Sequence, residues 1–319
     1  MQRLQKFPGV VAPKMAPLRS EEKGKRTLLC LAVLLFVATG YTGACADPPS
    51  SVPPLSSHFA RYGTNRVHYL IGGNGVQTVL FVHGWGGNTD FWRDPVAALI
   101  DKAKVVLVDL PGHGKSDKPK VDYTMDFFAG GVLAVLKDAR VDKATLVGHS
   151  MGVPVICRAY AKATNRVVAI VAVDGLLRRP KGTPDQFEAF TAPYRTPEYR
   201  EHTRKFIATM FPNPGTEALR DWTLSQVLAT PQYVLSSAMD GMFEPGQPDW
   251  DLGKVSIPVL VINAKSAMWT PEYEKYVHSL SPQTEYRTIE GAGHFLMGEK
   301  PKEFSEALVS MLEKFKLIR

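Results

Sequence analysis

One serine stands in a sequence context that would expose its hydroxyl group for nucleophilic chemistry. Ser150 is the centre of Gly-His-Ser-Met-Gly at residues 148–152, between an apolar run that predicts a strand and a run that predicts a helix. Glycines at both ends of the motif permit the sharp strand-to-helix turn of a nucleophile elbow. The N-terminus of the following helix adds positive potential beneath the hydroxyl group. The pattern predicts that Ser150 is a nucleophile.

His294 is the predicted base for Ser150. It closes the motif Gly-Ala-Gly-His at residues 291–294, where a loop histidine after the last predicted strand can approach the serine. It would take the hydroxyl proton and then deliver it to the leaving group. The other histidines are assigned structural or surface positions: His83 and His113 in turns, His149 beneath the serine, and His58, His68, His202 and His278 at the surface.

A second glycine-rich loop predicts an oxyanion hole. The motif His-Gly-Trp-Gly-Gly at residues 83–87 follows an apolar strand and can turn a backbone N–H toward the serine. The N–H groups of Trp85 and Met151 would then stabilise a tetrahedral intermediate, and one such donor contributes about 3 kcal/mol. Three apolar side chains further along the chain are candidate walls of the substrate pocket: Met242, Phe243 and Trp269.

The elements that must position these residues alternate between strands and helices. Apolar runs predict strands near 67–71, 78–82, 105–109, 144–147, 167–173, 258–262 and 284–289. Helical periodicity covers 89–101, 124–139, 151–163, 271–280 and 301–316. This alternation predicts an α/β fold with a mostly parallel sheet and helices on both faces. Residues 176–250 break the rhythm and predict a cap of short helices and loops.

Together these segments resemble the α/β-hydrolase superfamily, in its capped serine-hydrolase form similar to esterases and lipases. The resemblance covers residues 60–317 and includes DLPGHGKSDKP at 109–119, IPVLVIN at 257–263 and EGAGHFLMGEKPKEF at 290–304. It implies an eight-stranded, mostly parallel sheet with a helical cap inserted after strand 6. The core would then comprise 58–175 and 251–319, with the cap at 176–250.

The acid departs from the family pattern. In the family the strand PVLVI leads to a Gly-x-x-Asp turn, and here Ala267 occupies the Asp position. Some relatives carry the acid one strand earlier, which points to Asp174 at the end of VVAIVAV. The carboxyl ends of parallel strands share one edge of the sheet, so Asp174 is the predicted acid that orients His294. The open alternatives are a cap-end acid or a Ser-His dyad, the candidate acids being Asp240, Asp249 and Asp251.

Residues 1–46 have the features of an export signal. Basic residues precede an apolar run at 28–40, and small residues end in Ala-Cys-Ala at 44–46. This order predicts cleavage before Asp47 and a secreted or periplasmic protein. A Pro- and Ser-rich stretch at 47–57 predicts a flexible spacer.

Two other interpretations of this segment stay open. Residues 27–46 carry no charge and could anchor the chain in a membrane, or Cys45 could be lipidated. Membrane contact is expected only in these two cases. Translation could also begin at Met15.

The charge and cysteine content restrict the partners. Of the net charge of +7, the leader holds +5, which leaves +2 for the mature chain and gives no support for nucleic acid binding. Cys157 would be the only cysteine left after cleavage, so an intrachain disulfide is excluded. No His or Cys cluster has metal-ligand spacing, and no metal or organic cofactor is expected.

The resemblance implies hydrolysis of a small ester or acyl compound through an acyl-enzyme on Ser150. C–C bond hydrolases, peptidases and lactonases of the same fold stay open, because they use the same serine chemistry. A non-catalytic binding protein of this fold is the rival hypothesis, since the position that usually carries the acid holds Ala267.

Overall fold

The computed structural model describes residues 55–243 and 250–319. The predicted signal at 1–46, Cys45, most of the spacer and the candidate acid Asp249 lie outside the described residues. Within the described ranges, no helix has the length and hydrophobicity needed to cross a bilayer.

Eight strands of the described chain form one sheet, in the order β1-β2-β4-β3-β5-β6-β7-β8. Strands β3 to β8 run parallel, whereas β1 pairs antiparallel with β2, and β2 antiparallel with β4. The strands are β1 Ser56–Tyr62, β2 Asn65–Gly72, β3 Thr78–Val82, β4 Lys104–Val108, β5 Ala144–His149, β6 Val167–Val173, β7 Val259–Ala264 and β8 Thr284–Ile289. The predicted α/β fold class is confirmed.

Helices cover both faces of the sheet. Their bounds are α1 Arg93–Leu99, α2 Met125–Asp138, α3 Gly152–Lys162, α4 Pro184–Thr191, α5 Tyr199–Thr209, α6 Glu217–Leu228, α7 Gln232–Phe243, α8 Pro271–Leu280, α9 Leu296–Glu299 and α10 Pro301–Lys314. Threonine caps fix several starts. The hydroxyls of Thr124 and Thr270 accept from backbone N–H groups of α2 and α8, and such caps contribute about 1 kcal/mol each.

The central strands are apolar because both faces are covered. Every residue of β3, β5 and β7 is buried. The fully buried Phe81 of β3 packs on Trp92, with ring centroids 4.9 Å apart. Burial of one such side chain contributes about 1.5–3 kcal/mol to the free energy of folding, so these strands are held firmly in the sheet.

Four helices of the described chain, α4 to α7, lie between β6 and β7, in the stretch predicted as the cap. They are connected by short segments rich in turns, such as the 3₁₀ turn Ala192–Arg195. Below, the term cap means α4 to α7.

Three local predictions differ from the structure. Ser56 and Ser57, predicted as spacer, belong to β1, whose largely exposed residues give no apolar alternation. The helix predicted at 89–101 divides into the 3₁₀ turn Thr89–Trp92 and α1. His68, predicted at the surface, is buried in β2, and its Nδ1 lies 2.7 Å from Asp109 Oδ2.

Candidate active site

Ser150 occupies a strained turn between β5 and α3. Its φ is +52°, in the left-handed region that a residue with a side chain rarely adopts. Its backbone N–H donates to the carbonyl of Val173 at 3.0 Å, which ties the turn to β6. A Cβ on Gly148 would lie 2.5 Å from the Gly152 carbonyl oxygen, and one on Gly152 would lie 2.4 Å from that of Val82. The turn therefore requires both glycines, and it exposes the serine at the strand end.

Asp174 lies at the end of β6 and contacts His294. Its Oδ2 is 2.6 Å from Nδ1 of the imidazole, and the aspartate is 3% exposed. A carboxylate oxygen only accepts, so Nδ1 carries the hydrogen and Nε2 is left with its lone pair. No hydrogen bond joins Ser150 to His294 within the described ranges, although both line one cavity. Such contacts often tighten only when a substrate binds.

Two more donors hold Asp174 in place. Its Oδ1 accepts from the backbone N–H of Ala264 at 2.8 Å and from the indole N–H of Trp269 at 3.0 Å. Ala264 ends β7, the strand next to β6. Trp269 had been predicted only as a pocket wall, because nothing in the sequence indicates that its indole nitrogen faces a carboxylate one strand away.

The alternative acids are engaged elsewhere. Asp240 pairs with Arg195 in the cap, and Asp251 accepts from the backbone N–H of Arg179. Neither of them is among the residues that line the cavity of Ser150, and Ala267 does not line it either. Among the described acids that the sequence proposed, Asp174 is the one in contact with His294.

The loop after β3 carries the predicted oxyanion donors. Trp85 and Met151 line the cavity together with Ser150. In the part of the chain that is described, neither backbone N–H donates to a protein acceptor. These two groups are therefore available to a ligand oxygen beside the serine.

Two buried histidines support this loop. His83 accepts the N–H of Leu110 at Nε2, at 3.0 Å, and its Nδ1 lies 2.7 Å from the Gly84 carbonyl oxygen. His113 accepts the N–H of Gly86 at Nε2, at 3.3 Å. Burial lowers the pKa of His83, and burial together with the charge of His83 lowers the pKa of His113 to about 3. Both imidazoles are thus neutral and can accept.

His149, predicted to pack beneath Ser150, is buried and contacts His294. Its Nε2 donates to the backbone carbonyl of His294 at 2.9 Å, and the two rings are 4.7 Å apart. Burial, followed by the charge of His294, lowers the pKa of His149 well below its usual value. A neutral ring therefore contacts the predicted base and fixes its backbone.

The cap binds both loops of the site. The indole N–H of Trp85 donates to the Leu235 carbonyl of α7 at 2.8 Å. The backbone N–H of His294 donates to the carbonyl of Met210, next to α5, at 3.0 Å. The position of the oxyanion loop and of the histidine therefore depends on the cap as well as on the sheet.

A cavity of about 440 Å³ extends from Ser150 between the sheet edge and the cap. All three predicted pocket residues line it: Met242, Phe243 and Trp269. In the described ranges, no group of three or more His, Cys, Asp or Glu side chains is arranged to hold a metal ion.

Comparison with known proteins agrees with this architecture. The dihydrolipoyllysine-residue acetyltransferase component of the acetoin cleaving system of Cupriavidus necator is 28% identical over 258 residues, which cover 78% of this chain and 67% of that protein. A bromoperoxidase from Bacillus anthracis has a similar fold, with a TM-score of 0.72 and 24% identity over 81% of this chain and 100% of its own.

An esterase from Exiguobacterium antarcticum is similar to the same degree, with a TM-score of 0.72 and 19% identity over 81% of this chain and 100% of its own. The sequence also matches the alpha/beta hydrolase family over residues 79–307. Because this match extends over most of the chain, the protein belongs to the alpha/beta hydrolase family.

Proposed function

We propose that this alpha/beta hydrolase cleaves carboxylic esters through an acyl-enzyme on Ser150. The single observation that carries the proposal is that one cavity is lined by Ser150, His294 and the buried Asp174. Ser150 has a φ of +52°, and Nδ1 of His294 lies 2.6 Å from Oδ2 of Asp174. A strained serine costs about 1–3 kcal/mol, and such strain is concentrated at functional sites.

The proposed reaction has two stages. His294 Nε2 takes the proton of Ser150 as the hydroxyl oxygen attacks the ester carbonyl, and the N–H groups of Trp85 and Met151 bind the oxyanion. When the tetrahedral intermediate collapses, the C–O bond to the alcohol breaks and His294 protonates the alcohol. Water then attacks the acyl-enzyme by the same path and releases the acid.

Asp174 has the role of holding His294 in this cycle. Its carboxylate keeps the hydrogen on Nδ1, so that Nε2 of the neutral ring has a lone pair for the serine proton. It also stabilises the imidazolium that forms when the serine proton is taken. The three N–H donors that surround the carboxylate support this role, because they keep it oriented toward His294.

A test compares Ser150→Ala with Ser279→Ala on p-nitrophenyl butyrate. Ser279 is an α8 serine whose hydroxyl bonds to the Tyr276 carbonyl, away from the cavity. We expect Ser150→Ala to lower kcat by at least about 10⁴-fold, and Ser279→Ala to match the parent. A fluorophosphonate probe should label the Ser150 peptide of the parent. Hydrolysis that persists at the parental rate in Ser150→Ala would overturn the proposal. A parent that neither hydrolyses the ester nor reacts with the probe would favour a non-catalytic binding protein.

We also propose that the protein is exported and cleaved before Asp47, as the order of basic, apolar and small residues indicates. Mass spectrometry of the protein recovered from its native host should give an N-terminus at Asp47. A lipidated Cys45 or an intact leader in the membrane fraction would contradict cleavage at this site.

A further inference from the structure

We infer that the cavity selects esters whose acid part is uncharged and apolar; this inference rests on the proposed function. The lining is unusually rich in thioethers: five of the ten methionines of the chain line it, namely Met151, Met210, Met239, Met242 and Met268. Methionine side chains are apolar and adapt their shape to a ligand.

Aromatic rings complete the apolar wall on the cap side. Phe190, Phe206 and Phe243 line the cavity, and the Phe190 ring lies 5.6 Å from Phe206 and 5.2 Å from Phe243. Phe190 is also one of the exposed large apolar residues, at 38%, as is Met268 at 54%. Apolar side chains therefore extend from the interior to the entrance.

The described lining holds two charged side chains, Asp174 and Lys265, and each contacts a protein partner. Asp174 accepts three N–H groups, one of them from His294, and Lys265, an exposed residue, has its Nζ 2.8 Å from the exposed Glu290. An anionic substrate would thus lose water without gaining a free cation. Burial of a charge without a partner is costly.

The test uses two substrates of equal carbon chain that differ by one carboxylate, ethyl hexanoate and monoethyl adipate, followed by titration of released acid. We expect kcat/KM to be about 100-fold higher for the hexanoate. Met242→Lys, which adds a cation to the lining, should narrow this ratio to about tenfold or less. A parental ratio within about threefold would overturn the inference.

A binding measurement separates this inference from the proposed reaction. In Ser150→Ala, ethyl hexanoate should displace water from the lining tryptophans and shift their fluorescence emission to shorter wavelength, and monoethyl adipate should not at the same concentration. Preferential hexanoate binding without any ester hydrolysis by the parent would leave the pocket assignment intact and reject the reaction. Equal binding of both esters would reject the pocket assignment.

A separate observation carries a second inference: we infer that Trp269 is a positioning residue for Asp174. Its indole N–H is aimed at Oδ1, 3.0 Å away, whereas Oδ2 is left for His294. Its backbone N–H bonds to Ser266, and its ring lies 5.2 Å from Tyr273, which together fix the indole. Trp269 thus supplies a donor from the loop in which the family places its acid.

Trp269→Phe tests this role because it removes the N–H donor and keeps an aromatic ring, although a smaller one, in the wall. We expect kcat for p-nitrophenyl butyrate to fall about tenfold with KM nearly unchanged, because a carboxylate that has lost this charge-assisted hydrogen bond no longer holds the His294 imidazole in one orientation. The acidic limb of the kcat/KM profile should move to higher pH, because a carboxylate with fewer donors stabilises the imidazolium more strongly. Trp222→Phe, a cap variant outside the cavity lining, is the control.

An NMR readout does not depend on turnover. The Nδ1 proton of His294 should give a low-field signal in the parent that shifts in Trp269→Phe and is lost in Asp174→Asn. If Trp269→Phe leaves this signal, kcat and the pH profile at parental values, Trp269 is only a pocket wall. If the signal shifts but no variant or parent hydrolyses esters, the positioning holds and the proposed function fails.

Discussion

The two halves of the candidate site are held by different parts of the molecule. Ser150 and Asp174 lie at the ends of β5 and β6 and are fixed by bonds within the sheet, from Ser150 to Val173 and from Ala264 to Asp174. Trp85 and His294 lie on loops that bond to the cap, through Leu235 and Met210. The sheet therefore fixes the proposed nucleophile and acid, and the cap takes part in placing the proposed oxyanion donor and base.

The arrangement of the sheet bears on the position of the proposed acid, which follows β6 instead of β7. Asp174 and the usual acid position after β7 open onto the same edge, because β6 and β7 are parallel neighbours. At Asp174 the φ of +40° turns the residue out of the strand, and a carboxylate there reaches His294 on the loop after β8. We therefore propose that a carboxylate at the end of β6 serves in place of one after β7.

The largest expected effect is on the sheet-held half. Asp174→Asn should lower kcat/KM by about 10⁴-fold while the free energy of unfolding changes little, because the amide favours the wrong tautomer of His294. Asp240→Asn, which changes an acid paired with Arg195 in the cap, should keep parental activity. Steady-state kinetics on p-nitrophenyl butyrate would decide this, and near-parental turnover in Asp174→Asn would reject the assignment.

Low pH should destabilise the folded chain through three buried histidines near the candidate site. Burial lowers the pKa of His83, His113 and His149 in the folded chain, so the unfolded chain binds more protons below pH 6.5. The contribution of these histidines to the free energy of unfolding is therefore fully present above the pKa of histidine in the unfolded chain. It is lost as the pH falls below that pKa, by about 1.4 kcal/mol per pH unit for each group.

Urea unfolding at pH 7.0 and pH 5.5 measures this loss. His113 faces His83, Asp109 and Lys118, and its pKa of about 3 keeps it neutral over this range. Equal unfolding free energies at the two pH values would show that these imidazoles do not stay neutral in the folded chain.

A smaller effect is expected on the cap-held half. Trp85→Phe removes the indole N–H that donates to Leu235 and keeps an aromatic ring in the loop. We expect a decrease in kcat of about fivefold to tenfold, since one such bond contributes about 1 kcal/mol and its loss lets the oxyanion loop shift. Trp222→Phe is again the control, and kcat ratios measured beside thermal unfolding would separate local from global effects. An unchanged kcat would mean that the cap does not position this loop.

Much of the fold could be predicted from the sequence because its signals are local. The strands of the sheet interior are apolar throughout, and β3 was predicted with the bounds that the structure gives it. β1 was not predicted, because an edge strand with mostly exposed residues has neither an apolar run nor alternation. His68 was misplaced for a related reason: β2 is covered at that point, which depends on residues remote in the chain.

The sequence by itself determined the elbow around Ser150, the loop of His294 and the strand that ends at Asp174, because glycine spacing and apolar runs act within a few residues. Only the tertiary structure decided which carboxylate meets His294, which indole donates to that carboxylate, and which cap residues bind the two loops. The physical reason is that these contacts join residues far apart in the chain, such as His294 to Asp174, which are 120 positions apart, and Trp85 to Leu235, which are 150 apart. Their partners depend on strand order and on the placement of the cap, and no short stretch of residues encodes either.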